Sequence, residues 1–130
     1  MESFSVSTQS RDQFLDITGQ VGDIVKRNGV KSGLCCVYTP HTTAAITINE
    51  NADPDVRRDI IKGMNHLKLE AVLFDHAEGN SPAHIKSSLF GCSEMIIIEN
   101  GTLQLGTWQG IYFCEFDGPR NRKVYVQIVS

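Results

Sequence analysis

The sequence predicts an α+β protein built mainly on an antiparallel β-sandwich, with two or three flanking helices. Strand signals dominate the last third, where EMIIIE, GIYFCEF and KVYVQIV follow one another with a β-branched and aromatic bias. Period-two alternation marks two earlier segments, around Phe4 and Val6 and around Ile46 and Ile48. Helix signals are fewer and local, each a start signal followed by a short apolar stripe.

In chain order, Phe4 and Val6 alternate with Ser3, Ser5 and Ser7, as in a half-exposed strand. QFLDI at 13–17 is expected to return beside it as a hairpin partner. Thr18 caps a helix running to about Asn28, with Val21, Ile24 and Val25 at helical spacing and Gly29 as the stop. GLCCVYT, Gly33 to Thr39, reads as a buried strand that Pro40 interrupts. Thr43 to Glu50 reads as another, with Ala44, Ile46 and Ile48 on its packing face. Thr43, Ala45, Thr47 and Asn49, with His41, fall on the other face, which is expected to line a polar cleft. Glu50 has the parity of the packing face, so the strand ends or bends there.

ADPDV then starts a second helix. Asp53 is the N-cap, Pro54 suits the first helical position, and Asp55 complements the dipole. Val56, Ile60, Ile61, Met64 and Leu67 supply the apolar stripe. Ser81 and Pro82 read as cap and first residue of a short helix ending near Gly91. Ser81, His84 and Ser88 would share one of its faces, and Ile85 and Leu89 another. FDGPR, with Gly118 and Pro119, is the turn before the last strand.

A chain of 130 residues without repeats or linkers predicts one domain, residues 1–130. With 41% apolar and 21% charged residues it can build a core without disulfide staples. A net charge of -3 argues against broad binding to nucleic acid or an anionic membrane surface. MESFSVSTQSRDQF lacks the basic and apolar regions of a signal peptide, and runs such as MIII are too short to span a bilayer. A soluble, cytoplasmic protein is therefore expected. The four cysteines, Cys35, Cys36, Cys92 and Cys114, have no CxxC spacing, and read as reduced thiols acting as small hydrophobes.

Three segments carry candidate chemistry. His41, His76 and His84 sit in turn-rich polar contexts, and three neutral imidazoles plus water form a common open zinc site. The same residues would otherwise hydrogen-bond around loops, or serve as acid and base without metal. His66, near a helix end, is explained by the dipole. The helix start at Ser81, with Lys86, Ser87 and Ser88, offers donors for a phosphate; alternatively Ser81 only caps and Lys86 is solvated. In GTLQLGTWQGIYFCEFDGPR, Trp108 suits either ring stacking or a subunit contact. Arg120 suits a phosphate, or a surface ion pair with Asp117 or Glu115.

HTTAAITINENADPDV, the HxxGNSPAHIKSSLFG stretch from His76 to Gly91, and LGTWQGIYFCEFDGPR together resemble the signature segments of the YjbQ family, also called secondary thiamine-phosphate synthases. The likeness runs from Phe4 to Val129. One departure is EMIII at Glu94 to Ile98 with Glu99 and Asn100, where the family more usually has a proline-containing strand. The resemblance implies a β-sandwich with flanking helices, and a homotrimer with sites near subunit boundaries. It implies coupling of hydroxymethylpyrimidine diphosphate to thiazole phosphate with release of pyrophosphate. The site residues it points to are His41, Glu50 and His84 for catalysis, and Asn49, Ser81, Lys86, Ser87, Trp108 and Arg120 for substrate or phosphate. His41, His76 and His84 would hold a divalent metal, zinc or magnesium; zinc suits imidazole, and magnesium prefers carboxylates and phosphates. Two other readings are a metal-dependent hydrolase or transferase on another small phosphorylated metabolite, and a non-catalytic trimeric binding module.

Overall fold

The computed structural model describes residues 1–130. In chain order its elements are β1 (Glu2–Ser7), β2 (Gln13–Asp16), α1 (Thr18–Asn28), β3 (Gly33–Tyr38), β4 (Ala44–Glu50) and α2 (Pro54–His66). A 3-10 turn at Leu69–Ala71 leads to α3 (Ser81–Phe90), β5 (Ser93–Glu99), β6 (Thr102–Leu103), β7 (Gln109–Glu115) and β8 (Asn121–Val129).

The strands form two antiparallel sheets, one of five in the order β1-β8-β3-β5-β6 and one of three in the order β2-β7-β4. Their facing side chains make the main core. Cys35, Val37, Ile96, Ile98, Val124 and Val126 from the larger sheet meet Ala44, Ile46, Ile111 and Phe113 from the smaller, and α1 closes it with Val21, Ile24 and Val25. The expected sandwich and its alternation are therefore present. A second cluster lies on the outer side of the smaller sheet, where Phe14, Ala45, Tyr112, Cys114 and Phe116 pack with Ala83 of α3, and Ile60 and Ile61 join from α2.

That second cluster corrects the expectation for β4. Ala45 points away from the main core but is fully buried beneath α3, so of the face it shares with His41, Thr43, Thr47 and Asn49 only the His41–Thr43 end lines a polar cavity. The helix approaches so closely because its inward residues are not Ile85 and Leu89. They are Ala83, Lys86 and Ser87, while Leu89 stays exposed. Ser87 Oγ donates 2.6 Å to the Ala44 carbonyl, fixing helix to strand.

The hairpin expected between residues 2–7 and 13–17 does not form. β1 pairs with β8 and β2 with β7, so the segment between them crosses from one sheet to the other. The FDGPR turn crosses in the same way, from β7 to β8. These crossings lie side by side. Thr8 donates its backbone N–H to the Arg120 carbonyl at 3.0 Å, and Gly118 donates to Arg11 at 3.2 Å. A side chain at 118 would collide with the Ser10 carbonyl, which is why a glycine sits there.

The helix ends follow the sequence signals with small shifts. Gly29 takes the left-handed conformation, φ 79°, and stops α1. Asp53 caps α2, accepting from the Asp55 N–H at 2.9 Å. Asn80, not Ser81, occupies the cap position of α3, so Ser81 is its first helical residue. Ile17 similarly precedes Thr18, whose hydroxyl instead bonds to Asp16 at 2.6 Å. No helix is long and apolar enough to cross a membrane.

Candidate functional site

Three segments converge where β3 hands over to β4. Pro40 ends β3, and the chain carries His41, Thr42 and Thr43 along the edge of the β7–β8 crossing. α3 brings His84 from its first turns, and the loop before it brings His76, Glu78 and Asn80. The crossing itself supplies Asp117, Arg120 and Arg122. Together they enclose a cavity of about 390 Å³ with no hydrophobic residue in its lining. A second, more open groove of about 570 Å³ adjoins it, sharing Pro40, His41, Thr42 and His84 and continuing past Tyr38, Ser87 and Cys92.

The imidazoles are held differently. His41 Nε2 accepts the backbone N–H of Lys123 at 2.9 Å. That bond requires an unprotonated Nε2, so neutral His41 carries its proton on Nδ1. Burial depresses its pKa below the ordinary value; the Arg122 charge adds to this, Glu115 opposes it, and Arg120 contributes in the same direction as Arg122. His76 and His84 meet edge to face with ring centroids 5.4 Å apart.

Beneath the cavity lies a buried ion pair. Glu115 is fully buried at the end of β7 and Arg122 is 3% exposed at the start of β8. Arg122 Nε donates to Glu115 Oε2 at 2.8 Å, and Nη2 donates to Glu115 Oε1. Nη2 also donates to the Thr43 hydroxyl at 2.8 Å and its carbonyl at 3.3 Å. Glu115 further accepts the Thr8 hydroxyl at 2.9 Å and the backbone N–H groups of Phe116 and Asp117 at 3.0 and 2.9 Å. A buried carboxylate is tolerated here because so many donors meet it. Asn80 donates to Asp117 Oδ2 at 2.9 Å, while its own Oδ1 is buried without a partner.

Of the residues singled out in the sequence, His41, His76, His84 and Arg120 share the first cavity, and Ser87 borders the second groove with its hydroxyl committed to Ala44. Arg120 forms the expected ion pair with Asp117, through Nη2 at 3.1 Å, and also donates Nε to the Asp117 carbonyl. Lys86 is neither solvated nor in this cavity. It is 2% exposed, with Nζ 2.8 Å from Asn65 Oδ1, 3.3 Å from Asp12 and 3.6 Å from Glu70. Ser81 does not line this cavity; it lines a neighbouring depression with Glu70, Val72, Leu73 and Phe74 that shares His76 with it.

Asn49, Glu50 and Trp108 stand at the other end of the smaller sheet. The register pairs Ala44 with Glu115 but Glu50 with Gln109. Six residues of strand separate the two ends by roughly 20 Å. One chain therefore does not bring Glu50 or Trp108 to His41. Glu50 offers its carbonyl to the Tyr112 hydroxyl at 3.0 Å, and Trp108 is 62% exposed.

Arg122 is the site residue that sequence reasoning missed. Its signal was parity: in NRKVYVQIV it falls in phase with Val124 and Val126, on the inward face. An inward arginine needs a buried acid, and Glu115 is the one available.

The fit to a metal ion is one of kind. Imidazoles suit zinc, but no three His, Cys, Asp or Glu side chains form a group that could hold one. His76 and His84 are the adjacent pair, and the Nε2 of His41 is engaged by Lys123.

Residues 2–130 match the family described as UPF0047 protein YjbQ-like. The UPF0047 protein MJ1081 of Methanocaldococcus jannaschii is 53% identical over 127 residues, covering 98% of this chain and 92% of that protein. YugU of Bacillus subtilis is 49% identical over 131 residues, covering 100% and 99%. A crystal structure of a YjbQ/UPF0047 protein from Clostridium acetobutylicum superposes with a TM-score of 0.97 at 56% identity, covering 99% of this chain and 100% of that one. A Sulfolobus solfataricus structure, of a YbjQ-like protein of unknown function, gives 0.93 at 33% identity, covering 98% and 94%. Sequence and fold agree across the whole length: this chain belongs to the YjbQ-like UPF0047 family.

Proposed function

We propose that the chain is a transferase of small phosphorylated metabolites, and that its reaction is the thiamine-phosphate coupling. The observation that carries this is the pair of adjoining compartments joined at His41, Thr42 and His84. A reaction that unites two substrates needs two places that meet at the reacting atoms. The polar, arginine-containing compartment suits the diphosphate, and the groove past Tyr38 suits a ring.

In this reaction a carbon–nitrogen bond forms between the pyrimidine methylene carbon and the thiazole nitrogen. The carbon–oxygen bond to the diphosphate breaks, and pyrophosphate leaves with the electron pair. Donors placed where that charge develops stabilise the transition state. Arg120 and the imidazoles stand on that side of the cavity. His84 lies in both compartments and is the group positioned to protonate the departing pyrophosphate. With only His76 and His84 adjacent, the chain's own side chains do not make a three-ligand metal site, and neutralisation of the phosphate oxygens falls to the arginines of the cavity.

A homotrimer accompanies this reading. The outer face of the larger sheet exposes Leu34, Met95, Ile97 and Val129, with the rings of Tyr38 and Tyr125 tilted against each other at 6.1 Å between centroids. A contiguous apolar face of this kind marks a subunit contact. In such an assembly the Glu50–Trp108 end of one chain is available to a neighbour's site.

The test is thiamine phosphate formation by mass spectrometry, with both ring substrates and magnesium or zinc, comparing wild type with His84→Ala and His41→Ala. A rate that falls about 100-fold in either variant supports the reading, as expected for loss of an acid–base group. No product with wild type excludes the coupling. Phosphate release without coupling would then point to a hydrolase, and ligand binding without turnover to a binding module.

A further inference from the structure

The geometry points to Arg122 as the anion anchor of the polar compartment: a phosphoryl group of the substrate sits on its Nη1 edge. This rests on the reading of the cavity as a site for phosphorylated metabolites, and says which cation holds the phosphate.

Of the other candidate cations, one is buried elsewhere and one is half solvated. Lys86 is buried outside the cavity between Asn65, Asp12 and Glu70. Arg120 lines the cavity, but its Nη2 and Nε are bound to Asp117. Arg120 likewise leaves Nη1 out of these bonds, but its side chain is 49% exposed, whereas Arg122 is 3% exposed and fixed from several sides. In Arg122, Nε and Nη2 take all four of its hydrogen bonds to Glu115 and Thr43, and Nη1 takes part in none. Asn80 Oδ1 is the one buried side-chain nitrogen or oxygen lacking a partner. Nη1 is therefore not sealed in the core, and opens on the cavity that Arg122 lines.

This arrangement is pre-organised. Glu115 grips one edge of the guanidinium, and Glu115 is itself held by Thr8 and two backbone N–H groups. The plane of the guanidinium is thus set before any ligand arrives. Its two Nη1 N–H donors face the open side with little side-chain entropy left to lose. A charged donor in a nearly dry setting forms a stronger bond to an oxyanion than a surface lysine does. The fork is half used by the protein and half free, so the free half suits the oxygens of a phosphoryl group.

The experiment is titration of the full chain with inorganic phosphate, read by calorimetry and by NMR of the 15N-labelled arginine side chains. Phosphate is expected to shift the Arg122 side-chain resonances more than those of Arg120. Arg122→Lys keeps the charge but loses the free edge, and is expected to weaken phosphate about 10-fold or more, the equivalent of one charge-assisted bond. Arg120→Gln is expected to weaken it only about 3-fold, as for a partly screened surface charge. Arg122 resonances that stay still at saturating phosphate overturn the proposal, as does a folded Arg122→Lys chain that binds like wild type. Absence of phosphate binding overturns it too. The wild-type spectra decide the matter even where the lysine variant fails to fold. Phosphate on Arg122 without coupled product removes only the thiamine reaction, whereas product with a silent Arg122 removes only the anchor.

Discussion

Replacing Glu115 by glutamine probes the buried pair that supports the cavity. The side chain keeps its shape but loses its charge and exchanges one acceptor oxygen for an NH2 group. Each Glu115 oxygen meets donors: Oε1 those of Arg122, Phe116 and Asp117, and Oε2 those of Thr8 and Arg122. Whichever oxygen becomes nitrogen then faces N–H or O–H donors, and Arg122, 3% exposed, is left without its counter-charge. Breaking a buried ion pair from one side costs about 3–5 kcal/mol. That is a large share of the roughly 5–15 kcal/mol that holds a domain folded. At roughly 4 °C per kcal/mol for a chain of this size, the melting temperature should fall by about 12–20 °C. The assay is urea and thermal unfolding of both proteins at one fixed concentration, since assembly would make the midpoint concentration-dependent. The control is Glu115→Leu combined with Arg122→Met, which removes both charges and should be less destabilised than the sum of the two single changes. A loss below about 1 kcal/mol in Glu115→Gln, the size expected of an exposed pair, would refute the claim that this pair is buried and mutually dependent.

Two further outcomes follow from the same structure. His41 should titrate below 6.5 in an NMR pH series, because burial first, then the Arg122 and Arg120 charges against Glu115, disfavour its protonated form. Its unfolded counterpart takes up a proton near 6.5 while the folded one does not, so its contribution to stability is complete above that pH. The contribution shrinks as pH falls from there towards the folded pKa, and a midpoint at or above 6.5 would contradict the arrangement. Ile97→Glu places a charge on the exposed apolar face, where Ile97 is 59% accessible. Light scattering should show a trimeric wild type and a smaller species for the variant, because an unpaired charge is costly to bury in an apolar contact; an unchanged mass in the variant would place the subunit contact elsewhere.

Local order was legible in the residues. Alternation around Ile46, the cap-and-proline pair Asp53–Pro54 and the stop at Gly29 each reflect short-range chemistry, and each stands where expected. The grouping of His41, His76 and His84 was also readable as a set of imidazoles in polar segments, and the structure brings all three to one cavity. Partnership across the chain was not readable. The hairpin expected of β1 and β2 failed because the pairing of strands depends on which sheet each one joins, and no local pattern encodes that. Lys86 looked like a solvated donor because helical spacing places a side chain on a face without saying what that face meets. Glu50 looked close to His41 because nine positions are near in sequence, although a strand spends those positions on length.

The sequence by itself determined the type of each element, the family and the side chains available for chemistry, because these follow from periodicity, capping and motif. Only the tertiary structure decided which of those side chains meet. Arg122 and Glu115 are seven positions apart on strands of different sheets, and their bond exists because the β7–β8 crossing folds them together. Burial, hydrogen-bond direction and the free edge of a guanidinium are properties of packed neighbours, and neighbours distant in the chain are set by the closure of the two sheets around their common core.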